Sequence, residues 1–302
     1  GSTRQSIARM KSWSSCAQPP DMEPPLTIAG NVLPPPRIHA VDWAPRQLFS
    51  VHDDPDRTKC SWEGPSFLHN KDPVAQRVHT TVEELDAKAA GVQGFKQGRS
   101  FARIVHNVLT EEECSDLLRK VNEKGFTPAL LNVGEGRQMF EPSIRDGLRV
   151  ILDSGPLARY LLEILRPHLP DTFKSGGQVR KLVDLNERCR FLCYKPGQEF
   201  QAHMDGMYIR PPPHPNAGDS SRVTVQFYLH DTPPANGGAT TFLGRRSRCS
   251  GRGGAQHAPS IRVQPRAGSA LLFTQDLLHE GSQVRAGFKY TMRTEAMYRA
   301  VE

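Results

Sequence analysis

Tyr194-Lys-Pro-Gly-Gln-Glu-Phe-Gln-Ala-His203-Met-Asp205-Gly206 is answered far downstream by Leu277-Leu-His279-Glu-Gly281 and then by Gly287-Phe-Lys289-Tyr290. Two histidines and one carboxylate, the first pair two residues apart, form the ligand set of a facial iron(II) centre. Such a centre takes three protein ligands on one face of the metal and leaves the opposite positions open to small molecules. The spacing has geometric content. Residues i and i+2 of a β-strand point to the same side, so His203 and Asp205 can grip one ion if this stretch is extended. On a helix the same two side chains would point apart.

A second His-x-Asp, His52-Asp53-Asp54, tests how much the pair alone is worth. Pro45 and Pro55 surround it and no alternating apolar run does, so it reads as a solvated loop. His203 sits in different company. Arg190-Phe-Leu-Cys-Tyr194 leads in with β-forming residues, and Pro196-Gly197 supplies a turn. Val223-Thr-Val-Gln-Phe-Tyr-Leu229 alternates cleanly, Gly237-Gly238 precedes Thr240-Thr241-Phe242, and Gly268-Ser-Ala-Leu-Leu-Phe273 runs towards His279. Short strands broken by Gly and Pro turns predict a mainly β fold with flanking helices, a double-stranded β-helix or jelly roll.

The order Y-x-P-G-Q-x-F-x-x-H-x-D-G, V-T-x-Q-x-Y-L, G-G-x-T-T-F and H-E-G-x-x-V-x-x-G-x-K-Y resembles the prolyl 4-hydroxylase-type iron(II)/2-oxoglutarate dioxygenases. The resemblance runs from Phe101 to Tyr298, about two thirds of the chain. It implies iron ligands at His203, Asp205 and His279. It also implies that Lys289 holds the far carboxylate of 2-oxoglutarate, with Tyr194 and Tyr228 at positions that contact this co-substrate. The activity implied consumes O2 and 2-oxoglutarate, releases succinate and CO2, and hydroxylates an unactivated C–H bond, by default of a prolyl residue in a protein or peptide. Ascorbate is the expected reductant.

Elementary electrostatics agrees with that transfer. A dicarboxylate buried in a barrel needs a cation and a hydroxyl donor at its far end, or its desolvation is uncompensated. Lys289 and Tyr228, on neighbouring strands, could supply both. Arg293 competes for the role, because Lys289, Thr291 and Arg293 alternate onto one face of a strand. A guanidinium would suit a carboxylate bidentately; the blander reading puts Arg293 in an ion pair at the barrel rim. Lys289 is favoured because the family spacing points to it.

Composition bounds the rest. The chain has 302 residues, a formal net charge of +7 and six cysteines with no C-x-x-C pair. The cysteines read as reduced thiols rather than a disulfide frame or zinc site, which predicts an intracellular protein, cytoplasmic or nuclear. No apolar run approaches the length of a membrane span, so no membrane partner is expected. Gly1-Ser2 reads as a cloning remnant, so the natural chain is expected to begin earlier. Residues 1–98 are read as a Pro-rich extension wrapping on the core, and 99–302 as the dioxygenase domain. Of the 25 prolines, 11 lie before residue 99, together with Trp13, Trp43 and Trp62. Proline density argues for irregular chain, the tryptophans for anchorage rather than disorder.

Thr81–Ala90 reads as a short capped helix, Phe101–Val105 as a strand, Thr110–Lys120 as a capped helix, and Pro156–Leu169 as another. Two loops are candidates to bear the substrate: Arg210–Asp219, expected near the barrel mouth, and the basic, glycine-rich Arg245–Arg252. The latter raises nucleic acid as a second partner class. Without interleaved aromatics for base stacking, a solvated loop is the better reading. His214, His230 and His257 are expected in loops or at the surface. Beside the peptide hydroxylase, two alternatives remain: a nucleobase demethylase of the same chemistry, and a catalytically silent jelly-roll binding module. Oligomeric state is not fixed by the sequence.

Overall fold

A computed structural model describes residues 27–28, 31–32, 35–50, 60–69, 79–175, 177–247 and 256–301. The His52 copy of the metal motif, Trp13, Cys16, Cys249 and the loop tip with Arg248 and Arg252 fall outside these. Two antiparallel sheets carry the fold. In the larger, the order is Thr81–Glu84, Ala102–His106, Ala270–Thr274, Ser220–Tyr228, Lys289–Ala300, Arg188–Tyr194, Leu148–Asp153 and Thr127–Pro128. The smaller runs Phe200–His203, His279–Gly281, Thr240–Ser247 and Gln256–Val263. From Arg188 onward the chain alternates between the sheets, apart from the paired Thr240–Ser247 and Gln256–Val263 in the smaller one, which is the jelly-roll pattern.

Side-chain alternation explains why the sheets face each other. Along Lys289–Ala300, Tyr290, Met292, Ala296 and Tyr298 enter one apolar core, while Lys289, Thr291 and Arg293 face the other way. Arg188–Tyr194 does the same: Cys189, Phe191 and Cys193 share that core, whereas Leu192 and Tyr194 lie on the opposite face. From Ser220–Tyr228, Val223, Val225 and Phe227 join them. One face of the large sheet therefore packs on helices and the other looks into the barrel. Phe191, 1 % exposed, sits in the first layer; Phe191→Ala is expected to cost about 3–5 kcal/mol of stability.

Two helices cover the first face. Glu111–Lys124 begins with a capping box in which Thr110 Oγ1 accepts from Glu113 N and Glu113 Oε2 accepts from Thr110 N. Its Cys114, Leu117, Leu118 and Val121 recur at the helical period and are buried. Gly155–Leu165 is capped by Ser154, with Pro156 in its first turn, and continues into a short 3-10 turn, Arg166–His168. Both helices agree with the sequence reading to within a few residues.

Thr81–Ala90 does not. Instead of a helix, Thr81–Glu84 forms the edge strand of the large sheet, paired with Ala102–His106, and turns follow it. Cross-strand ion pairs at Glu84–Arg103 (3.0 Å) and Glu83–His106 (3.6 Å) show what the local pattern could not contain. An available sheet edge outweighs the few tenths of a kcal/mol by which such residues prefer a helix. The preceding segment is tied down by its tryptophans. Trp43 packs on Phe49 and Phe140 (ring centroids 4.8 and 5.9 Å), and Trp62 packs against the main core.

Candidate metal centre

The antiparallel pairing of the smaller sheet's first two strands brings the metal motif together. His203 and His279 are directly opposed in the antiparallel register, so two residues 76 apart in sequence become a cross-strand pair. Asp205 lies just beyond the strand end, its N–H bonded to the Gln275 carbonyl (3.0 Å). Oδ1 of Asp205 is 3.6 Å from His203 Nε2, and Oδ2 is 3.8 Å from His279 Nε2. All three donor atoms lie within 4.8 Å of one another.

Neighbouring groups orient the donors. Nδ1 of His203 is 2.7 Å from the Gln201 carbonyl, and Nδ1 of His279 is 3.0 Å from the Leu277 carbonyl. Each ring must donate at Nδ1, which leaves the Nε2 lone pair aimed at the centre. Thr224 Oγ1 donates to Asp205 Oδ2 at 2.5 Å. Burial pushes the Asp205 carboxyl up, but the Arg293 guanidinium, with His279 and His203, outweighs it and holds the group well below the usual carboxylate range. Burial pushes His279 down to about 4. A neutral imidazole pair and an ionised carboxylate are what a divalent cation requires. The donor set fits iron(II).

A cavity of about 30 Å³ extends from this centre into the barrel. Lys289 lines it, 3 % exposed, with no carboxylate partner among the described residues and only a 3.5 Å contact from Nζ to the Ala239 carbonyl. Burial pushes its pKa down to about 7. Tyr194, directly opposite Lys289 in the register, presents its ring 5.9 Å from Nζ. Gly147 makes this placement possible, because a Cβ there would lie 2.5 Å from the Tyr194 ring.

Two expectations change. Tyr228 is wholly buried and does not line the cavity; its hydroxyl is 2.9 Å from the Oγ1 of Thr240, which does line it. Arg293 is no rim residue. It lies inside the barrel with Nη2 2.9 Å from Asp205 Oδ1 and 3.7 Å from Glu295 Oε1. His230 lies in a loop, in the bend after Ser220–Tyr228, but it is wholly buried there, and its Nε2 accepts from Tyr290 N at 3.0 Å. His214 is partly buried beside Glu187, and the side chain of His257 is outside the described residues.

The Arg210–Asp219 loop is clamped rather than poised at the mouth. Arg210, 2 % exposed, binds Asp184 (2.9 Å), Glu187 (2.7 Å) and Asp219 (3.4 Å). The carboxylates that close this clamp come from the loop's own far end and from the turn at 184–187, more than 20 residues away, which no local pattern reveals. Sequence reasoning also missed Arg145, Gln226, Thr240 and Thr291 in the cavity. For Gln226 the signal was present, since it alternates with Thr224 and Tyr228 on one strand. Arg145 gave none: it forms an isolated bridge with Phe200 and reaches the cavity over that residue's ring (4.7 Å).

Residues 189–294 match the family model described as the 2OG-Fe(II) oxygenase superfamily. A comparison with curated protein sequences gave no match. Among solved structures, the chain is similar to a viral collagen prolyl hydroxylase from Paramecium Bursaria Chlorella virus-1 in its 2OG complex (18 % identity, 65 % of this chain, 95 % of that one, TM-score 0.42). It is similar to a prolyl-4-hydroxylase of Pseudomonas putida (16 %, 74 % and 95 %, TM-score 0.37). A third is a Trichoplax adhaerens prolyl hydroxylase in complex with a hypoxia inducible factor peptide fragment (17 %, 65 % and 82 %, TM-score 0.43). The matched stretch contains His203, Asp205 and His279 together with Tyr194 and Lys289.

Proposed function

We propose that this protein is an iron(II)- and 2-oxoglutarate-dependent dioxygenase that hydroxylates a prolyl residue of a protein or peptide, releasing succinate and CO2. The observation that carries the reading is one cavity with a His203–Asp205–His279 donor set at one end and a buried ammonium, Lys289, with no carboxylate partner among the described residues. Unpaired buried cations are costly, and a carboxylate ligand removes that cost. The prolyl specificity rests on the order and spacing of the sequence motifs.

His203, Asp205 and His279 would hold iron, which when bound supplies the oxidising chemistry with 2-oxoglutarate and O2. The chain's own residues bind, orient and exclude. Lys289 pairs with the distal carboxylate of 2-oxoglutarate, and Tyr194 bounds the same space. Arg145 and Arg293 add positive charge to the cavity wall, which suits a dianion. Leu192 and Phe200 supply apolar wall that keeps bulk water from the reacting centre.

The test is incubation of prolyl peptides with iron(II), 2-oxoglutarate and ascorbate. A gain of one oxygen in the peptide by mass spectrometry, matched by succinate, is expected. Succinate without peptide oxidation across a broad prolyl panel would exclude the prolyl assignment; no succinate under any condition would exclude the dioxygenase.

A further inference from the structure

A groove of about 370 Å³ lies on the other side of Asp205, which lines both it and the metal cavity. Arg222 forms its floor. This residue sits where the register between Ser220–Tyr228 and Lys289–Ala300 shifts, between Ser221 and Val223, so it is the extra residue of a β-bulge. A bulge turns a side chain out of the alternation and re-aims it, and bulges gather beside active sites. Here the strand that supplies Thr224 to the metal ligand turns Arg222 into the groove.

The charge at this place is unbalanced. Nη1 of Arg222 donates to the Ser221 carbonyl (2.7 Å) and touches Met207 Sδ, while its buried Nε has no hydrogen-bond partner. Burial first, then Arg180 and Arg99, disfavour its charged form. Among the described residues none of these three arginines is paired with a carboxylate; Arg180 binds only Ser220 and Gln178 through its side chain. Lys96, the groove's other cation, is already neutralised by Asp276 at 3.0 Å. The loop bearing Lys96 and Arg99 is pressed onto the barrel at Gly94, whose φ is +90° and where a Cβ would lie 1.8 Å from the Asp276 carbonyl oxygen. Apolar surface borders the arginines, since Met204 and Met207 are 44 % and 53 % exposed.

We infer that this groove recognises an acidic side chain of the polypeptide substrate, with Arg222 and Arg99 binding its carboxylate and Met204 and Met207 packing on the neighbouring residue. The inference rests on the hydroxylase reading above and adds a substrate preference to it. Two guanidiniums with no carboxylate partner among the described residues match a carboxylate in charge and in bidentate geometry. Exposed methionines give adaptable apolar contact. A polypeptide suits this pairing better than a nucleic acid, because Phe173, the groove's one aromatic, is packed edge-on against Tyr298 (5.1 Å) and is not free to stack on a base.

The experiment uses the full chain and labelled prolyl peptides in matched pairs, with Glu or Gln at each position near the proline, read by fluorescence anisotropy without turnover. At one or more positions the Glu peptide is expected to bind roughly tenfold or more tighter than its Gln partner, as charge-assisted hydrogen bonds would give. The ratio should fall towards one in raised salt, in Arg222→Met and in the exposed-site variant Arg99→Ser. A ratio near one at every position in the unaltered protein, including the case where neither peptide binds, overturns the inference. So does a ratio that survives both substitutions, or arginine-dependent binding of a single-stranded oligonucleotide with no preference for Glu peptides. Succinate assays run alongside separate the two readings. Glu preference without succinate sinks the hydroxylase and spares the groove, whereas succinate with equal use of Glu and Gln peptides does the reverse.

Discussion

Arg293 and His203 share one oxygen: Oδ1 of Asp205 lies 2.9 Å from the Arg293 guanidinium and 3.6 Å from His203 Nε2. The arginine therefore stabilises the carboxylate in the absence of metal and competes with a cation for it. Replacing Arg293 with Met should lower the melting temperature of the metal-free protein and enlarge the rise produced by Mn(II), a redox-quiet stand-in for iron. A smaller Mn(II)-induced rise than in the parent protein would show that the guanidinium positions Asp205 for the metal instead of competing with it.

Removal of a donor is a simpler experiment. His203→Ala, Asp205→Ala and His279→Ala should each abolish both Mn(II)-induced stabilisation and succinate formation. The far-ultraviolet circular dichroism should stay that of the folded barrel, because the three side chains line a cavity rather than the main apolar core. His52→Ala and Asp54→Ala should change neither readout. Retention of near-normal metal binding in any of the three donor variants would mean that the centre is misplaced.

Period-two patterns made most of the barrel legible before any coordinates. Val223–Leu229 and the Lys289, Thr291, Arg293 face were readable because each strand has one apolar and one polar face. The cluster of His203, Asp205 and His279 was readable because one pair is local and strands lead into it, although Asp205 itself lies just past the strand end. What escaped was non-local. Thr81–Glu84 became a strand only because Ala102–His106 offered an edge, and the burial of Arg210 depends on carboxylates at 184, 187 and 219. The ion pair of Arg293 with Asp205 was not legible either, because the two lie 88 residues apart and no spacing rule links them.

Burial of His230 makes a pH prediction. Its pKa is pushed down from 6.5 to about 4 by burial, and Nε2 must stay unprotonated to accept from Tyr290 N. Below pH 6.5 the unfolded chain binds a proton that the folded one refuses, so stability is full above 6.5 and is lost as pH falls towards 4. The loss attributable to this group is about 3 kcal/mol at about 1.4 kcal/mol per pH unit. Urea midpoints between pH 7 and 4 should show it. His230→Gln, which keeps an acceptor but does not titrate, should flatten the curve; an unchanged curve would remove His230 as the cause.

Lys289 makes the sharpest claim about the co-substrate. Lys289→Ala should raise the 2-oxoglutarate requirement by the equivalent of about 2–5 kcal/mol, the cost of leaving a buried charge unpaired. Because burial has pushed the ammonium down to about 7, the protein should take up a proton on binding the dianion, and affinity should fall as pH rises above 7. Calorimetry in buffers of different ionisation enthalpy measures that proton directly. Arg293→Met should affect KM for 2-oxoglutarate less, since its guanidinium is engaged by Asp205 and Glu295. A larger increase in KM for Arg293→Met than for Lys289→Ala, with no proton uptake on binding, would transfer the anchor from the lysine to the arginine.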